Sequence, residues 1–153
     1  MKEVYKTEKQ LLSVKDNLTE LTKNLDESGF YIWRELLNKD EVDGLLKACD
    51  EIVECQAEYS KHRSERYASN LHPKFAGFVI HPIIIKAAKH VLKTDDISYL
   101  EDILFFKPPG SAGMAAHQEN FYHAVQKMET ITIWTAIDNA DKENGCLWTA
   151  PGS

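Results

Sequence analysis

The chain has 153 residues, 43% of them apolar and 27% charged, a balance that suits one soluble domain with a substantial core and argues against disorder. Its 18 lysines and arginines against 24 acids give a net charge of −6, spread evenly along the chain and without a basic cluster to neutralise a phosphate backbone or an anionic membrane surface. The start MKEVYKTEKQ has no apolar signal-peptide core, and no later run reads as a spanning helix. The expectation is a cytoplasmic protein with neither nucleic-acid nor membrane partners.

In chain order, Leu11, Val14, Leu18, Leu21 and Leu25 recur at spacings of three and four, which predicts a helix from about residue 7 to 24 with one apolar stripe. That stripe can dock within the chain or pair with a second copy, so it and any exposed sheet edge are the candidate surfaces for a homo-oligomer. After the punctuation of Asp26, Ser28 and Gly29, the run Phe30–Trp33 reads as a strand. Asn38 or Asp40 then caps a second helix, with Val42, Leu45, Leu46, Cys49, Ile52 and Val53 as its buried face. From there to Gly77 the periodicity is weak, and His62, Arg63, Arg66 and His72 are scattered through a stretch expected to be irregular or to form short helical turns.

Pro82 at a first helical position opens another amphipathic helix through Ile83, Ile84, Ala87, Ala88, Val91 and Leu92. The run Ile103–Phe106 reads as a strand stopped by Pro108, Pro109 and Gly110, and Ile131–Ile137 as a second strand buried on both faces. Asp138, Asn139, Asp141, Asn144 and Gly145 supply turn chemistry before a last strand from Cys146 to Thr149. Helices first and strands later predict an α+β domain. Cys49, Cys55 and Cys146 stand at unrelated spacings with no CxxC pair, so they read as reduced thiols, Cys49 in the core.

The segment richest in chemistry is His117-Gln118-Glu119-Asn120-Phe121-Tyr122-His123. In extended backbone, side chains two apart point the same way, so the His117 imidazole and the Glu119 carboxylate can converge on one cation. A second histidine from elsewhere would complete the two-histidine, one-carboxylate face that leaves positions open on iron. Alone, a three-residue pattern is weak. His123 falls on the same side of an uninterrupted strand and reads as structural, a pocket wall or a spare ligand.

Several segments in order resemble the phytanoyl-CoA dioxygenase family. They are Gly29–Ile32 with Leu36–Val42, then Phe106-Lys107-Pro108-Pro109-Gly110-Ser111. His117-Gln118-Glu119 looks like the family's HQD motif, and Trp134–Asp138, Glu143–Leu147 and Pro151-Gly152-Ser153 resemble the strand, turn and strand that follow. The resemblance runs from about residue 26 to the end, leaving 1–25 as a helical extension. It implies N-terminal helices packed on a partial double-stranded β-helix, a cupin-like jelly roll. It also implies Fe(II) and 2-oxoglutarate as cofactors, with His117 and Glu119 as metal ligands and glutamate in place of the commoner aspartate. Lys107 and Trp134 would lie near the co-substrate, the lysine attracting a carboxylate and the tryptophan packing the co-substrate or a neighbouring strand.

The carboxylate at 119 favours hydroxylation over halogenation, because halogenating relatives carry a small residue there. A small organic or acyl substrate and O2 are the implied reactants. The family's distal histidine and its 2-oxoglutarate-binding arginine have no match among residues 1–153, and His62, His72, His81 and His90 are poor substitutes because they precede the jelly-roll segment. The chain is therefore expected to be incomplete. Two other functions compete: a non-catalytic remnant serving protein association, and a cupin-like metal hydrolase or isomerase.

Overall fold

The computed structural model describes residues 14–55, 64–119 and 130–152. Two compact units form, one from the chain up to Leu36 with the residues from Leu147 on, the other from Leu37–Cys146.

In the first unit, α1 (Val14–Ser28) continues past the expected end near residue 24. Leu18 and Leu21 of the leucine stripe are buried, while Leu11 and the side chain of Val14 lie outside the described residues, as does the expected start near residue 7. The helix stops at Gly29, whose φ of 80° supplies the left-handed turn and whose amide donates to the Leu25 carbonyl at 3.0 Å. Phe30–Trp33, expected as a strand, carries no ladder among the described residues. Its aromatics are instead used locally, the Tyr31 and Trp33 rings meeting edge to face at 6.2 Å. The Gly152 amide donates to the Ser28 carbonyl at 3.0 Å, tying the end of this unit to its helix.

The second unit is built on α2 (Lys39–Cys55). Asn38 is its cap: Asn38 Oδ1 accepts from the Glu41 amide at 3.0 Å, and Glu41 Oε2 accepts from the Asn38 amide at 2.8 Å, a reciprocal capping box. Leu45, Ala48 and Ile52 are buried at spacings of three and four. Ala48 replaces the expected Val53, which stands 53% exposed, because Val53 is rotated off the stripe that Leu45 and Ile52 define.

After 56–63, outside the described residues along with His62 and Arg63, β1 (Ser64–Arg66) pairs antiparallel with β2 (Ile103–Phe105) in the register Glu65 to Leu104. Between them lie α3 (Ala68–Leu71), α4 (Pro73–Val79) and α5 (Pro82–Leu92). The expected short helical turns before Gly77 are thus α3 and α4. The core joins Leu45, Ala48 and Ile52 to Ala68, Phe75 and Leu104, with Leu37, Cys49, Phe78, Phe106 and Ile137 packed against it.

Two histidines dock the middle helices. His72 Nδ1 accepts from the Lys74 amide at 3.1 Å, capping α4, while Nε2 lies 2.9 Å from Glu51 Oε2. His81 repeats the device at α5, with Nδ1 accepting from the Ile83 amide at 3.3 Å and Nε2 3.2 Å from Glu41 Oε1. Because Nδ1 is an acceptor in each ring, Nε2 carries the hydrogen and donates to the carboxylate. Each cap precedes a proline, which needs no amide partner at the first helical position.

Pro73–Leu92 as one stretch has the length and composition to cross a membrane, where the sequence reading expects no such run. The turn at Ile80 and the His81 cap divide it into two helices. Residues 131–137 and 146–149 carry no ladder among the described residues. Ile137 reaches the core, but Ile133 and Trp134 are exposed, so the segment is not buried on both faces.

Candidate metal centre

The site is reached from β2. Phe106 keeps the chain on the core, and a turn follows at Pro108–Ser111, where the Ser111 amide and hydroxyl both donate to the Pro108 carbonyl, at 3.1 and 2.6 Å. Lys107 Nζ reaches across it to donate to the Ala112 carbonyl at 3.1 Å. Residues 112–118 then run without helix, and Glu119 enters a turn. Prolines and glycines leave this stretch few ladder donors and a bent path. Asn120–His123, the rest of the motif, lies outside the described residues.

His117 Nδ1 lies 2.8 Å from the Ala115 carbonyl. A carbonyl only accepts, so Nδ1 carries the ring hydrogen, and the neutral imidazole has its lone pair on Nε2. Nε2 lies 3.8 Å from Glu119 Oε2, too long for a hydrogen bond. Metal–ligand bonds of about 2.1 Å let two donors of one ion stand up to about 4.2 Å apart, so the pair is within the span of a shared cation. A borderline nitrogen and a hard oxygen also suit ferrous iron by type. Both side chains are partly open to solvent.

His72 and His81 have the opposite tautomer, with Nε2 committed to a glutamate and Nδ1 to a helix. They are structural. Among the described residues, no group of three His, Cys, Asp or Glu side chains is placed to hold a metal. Of the site residues expected from the sequence, His117 and Glu119 come together, at 3.8 Å.

Lys107 is joined to this segment through Ala112 and lies over Gly145. Trp134 sits on the 131–137 segment with 44% of its surface exposed. The turn expected from Asp141, Asn144 and Gly145 follows it. Asp141 Oδ1 accepts from the amides of Glu143 and Asn144 at 2.8 and 3.0 Å, and Asn144 reciprocates by accepting from the Asp141 amide at 2.7 Å. The Asp-x-x-Asn spacing was the available signal.

An imidazole and a carboxylate poised two residues apart on non-helical backbone define a candidate site for a divalent transition metal. The family model for phytanoyl-CoA dioxygenase (PhyH) matches residues 25–153. The chain belongs to this family, whose members are generally Fe(II)- and 2-oxoglutarate-dependent dioxygenases. It is 36% identical over 55 residues to phytanoyl-CoA dioxygenase 1 of Oryza sativa subsp. japonica, covering 35% of this chain and 20% of that protein. It is 38% identical over 56 residues to phytanoyl-CoA dioxygenase domain-containing protein 1 of Danio rerio, covering 35% of this chain and 19% of that protein. The bovine protein of the same name is 22% identical over 184 residues, covering 86% of this chain. The match takes in 63% of the bovine protein's length and about a fifth of the rice and zebrafish proteins. No solved structure matches.

Proposed function

We propose that the whole protein is an Fe(II)- and 2-oxoglutarate-dependent oxygenase that hydroxylates a small organic or acyl substrate, with His117 and Glu119 among its iron ligands. Family membership supports the reaction class, and the observation that carries the ligand assignment is the His117 tautomer. The Ala115 carbonyl fixes the ring hydrogen on Nδ1 and so puts the ring's lone pair on Nε2, 3.8 Å from a carboxylate oxygen. The chemistry that iron and 2-oxoglutarate supply when bound is O2 activation coupled to decarboxylation, giving succinate and an oxidised substrate.

The chain's own residues hold and orient. Glu119 offers an oxygen donor on an arm one methylene longer than aspartate, and its presence favours hydroxylation because a carboxylate fills the place a halide would need. Lys107 presents an ammonium near the same segment, suited to attract a co-substrate carboxylate. Trp134 provides an indole face to pack against that molecule or a neighbouring strand. The remaining metal and co-substrate contacts belong to the jelly roll proposed as the core of the whole domain.

The test is anaerobic iron binding and succinate formation by the protein of the full reading frame, with His117→Ala as control. Iron-dependent succinate formation that the control lacks supports the reading. Equal succinate formation by His117→Ala contradicts the ligand assignment. Exposed Ile80, Met114 and Leu147 favour a second reading as an association module, which predicts a concentration-dependent oligomer with no succinate at all.

A further inference from the structure

The acidity of the chain as a whole conceals a local asymmetry. Residues 67–94 contain Lys74, Lys86, Lys89 and Lys93 and no aspartate or glutamate, within a chain of net charge −6. The same segment holds the apolar stretch Pro73–Leu92, and only 17% of its most apolar window is buried. The core helix of a soluble protein would hide most of such a stretch, whereas this one stands at the surface beside cations.

The helix period sorts these residues. Ile84 and Ala87 are the buried residues of α5. Each position turns the helix by about 100°, so Pro82 and Lys86, two positions either side of Ile84, and Lys89, two beyond Ala87, fall on the side away from the buried pair. Pro82 and Lys86 are exposed, and Lys89 keeps 39% of its side chain in solvent. Lys93 follows at the C-cap and is exposed as well. Ahead of them Ile80 ends α4 at the turn into this helix, 69% exposed. Lys86 and Lys93 have no ion-pair partner among the described residues, and the Lys89 pair with the fully exposed Asp95, at 3.4 Å, is of the surface kind that contributes little. Lys74 does not belong to this face, since its stem lies over Gly44 of α2.

We infer that the outer face of α5, with Ile80 at its leading end, docks the protein on a membrane surface that carries anionic lipid. Charge complementarity selects that partner: lysines spaced along one side of a helix match a sheet of negative headgroups, and their long stems let the ammonium groups reach the phosphates. Ile80 selects a membrane over a nucleic acid, because the headgroup boundary offers hydrocarbon to an exposed isoleucine and a phosphate backbone does not. The buried Ile84 and Ala87, and the His81 bond to Glu41 of α2, keep α5 on the protein, so the contact is peripheral and the helix does not cross. The inference stands apart from the iron reading and survives or fails without it.

The test is co-sedimentation of the full-length protein with vesicles of phosphatidylcholine alone and of phosphatidylcholine containing about 30% phosphatidylserine. Expected is sedimentation with the anionic vesicles, suppressed by high salt, and little with the neutral ones. A lysine near such a surface strengthens partitioning by about fivefold, so Lys86→Gln/Lys93→Gln should weaken it by about twentyfold. Ile80→Ser should weaken it by about tenfold, the lower end of what burying an isoleucine contributes. Lys142→Gln, outside the segment, should change nothing. The substituted side chains are exposed, and Lys86→Arg/Lys93→Arg, which keeps the charge, should sediment as the wild type does. Equal sedimentation with both vesicles, none with either, or wild-type partitioning by the glutamine variant overturns the inference, as does a loss in the arginine variant as large as in the glutamine one. Retention on duplex DNA with unchanged vesicle binding by Ile80→Ser overturns it in favour of a nucleic-acid surface.

Discussion

A single backbone carbonyl distinguishes His117 from His72 and His81. At His117 the ring nitrogen nearest the backbone gives its hydrogen to Ala115, whereas at His72 and His81 the same nitrogen receives one from a helix amide. The first arrangement puts the ring's lone pair on Nε2, as binding a metal through that atom requires, and the second spends Nε2 on a glutamate. Glu119→Asp is expected to keep iron binding and Glu119→Ala to lose it, measured by anaerobic titration of the whole protein; equal binding by all three forms contradicts a ligand role. The structural pairs predict an acid response. The hydrogen bond from His72 holds Glu51 below its ordinary pKa, and the Asn38 amide, then His81, do so for Glu41. A carboxylate whose folded pKa is depressed stabilises the fold above its unfolded value near 4.5, and that contribution disappears as pH falls through the lower, folded value. Denaturant midpoints taken from pH 6 down to 3 should fall for the wild type and fall less steeply for Glu41→Gln/Glu51→Gln. Identical slopes contradict the linkage. At Cys49, burial followed by the nearby Asp50 charge pushes the thiol up, so alkylation at pH 8 should be slow until the chain unfolds.

At the scale of elements, α2 and α5 were legible because each carries a local signal: apolar residues at helical spacing in both, the Asn38 cap ahead of α2, and at the start of α5 a proline where no amide is needed. Asn38→Ala removes the acceptor for the Glu41 amide and should cost about 1 kcal/mol, read by chemical denaturation. Leu45→Ala empties the centre of the same helix's packing and should cost about 2–5 kcal/mol. The strand expectations fared differently because a strand is defined by a partner, which no local pattern supplies. Ile103–Phe105 finds Ser64–Arg66 and is a strand, whereas Phe30–Trp33 and Ile131–Ile137 have the same composition and no ladder among the described residues. Histidine caps escaped the sequence reading because His is not among the usual capping residues, and their glutamate partners lie 21 and 40 positions away. The His117–Glu119 pair was legible because its two members are near neighbours in sequence. The approach of Lys107 to Gly145 was not, since the two stand 38 positions apart and nothing local marks it.

Taken whole, the chain couples a helical scaffold around Leu45, Ile52 and Phe75 to a long non-helical stretch that carries the candidate chemistry. Two protein ligands hold a cation less firmly than three, and no group of three candidate ligands forms among the described residues. The central claim is that His117 and Glu119 hold iron in a 2-oxoglutarate-dependent oxygenase. The measurement that reaches it most directly is an anaerobic Fe(II) titration of the full-length protein, its His117→Ala and its Glu119→Ala variants, each followed by addition of 2-oxoglutarate and observation of the metal-to-ligand charge-transfer absorption. The account predicts one iron per wild-type chain, an absorption band that grows with 2-oxoglutarate, and loss of both in either variant. Wild-type stoichiometry and an undiminished band in His117→Ala would contradict it.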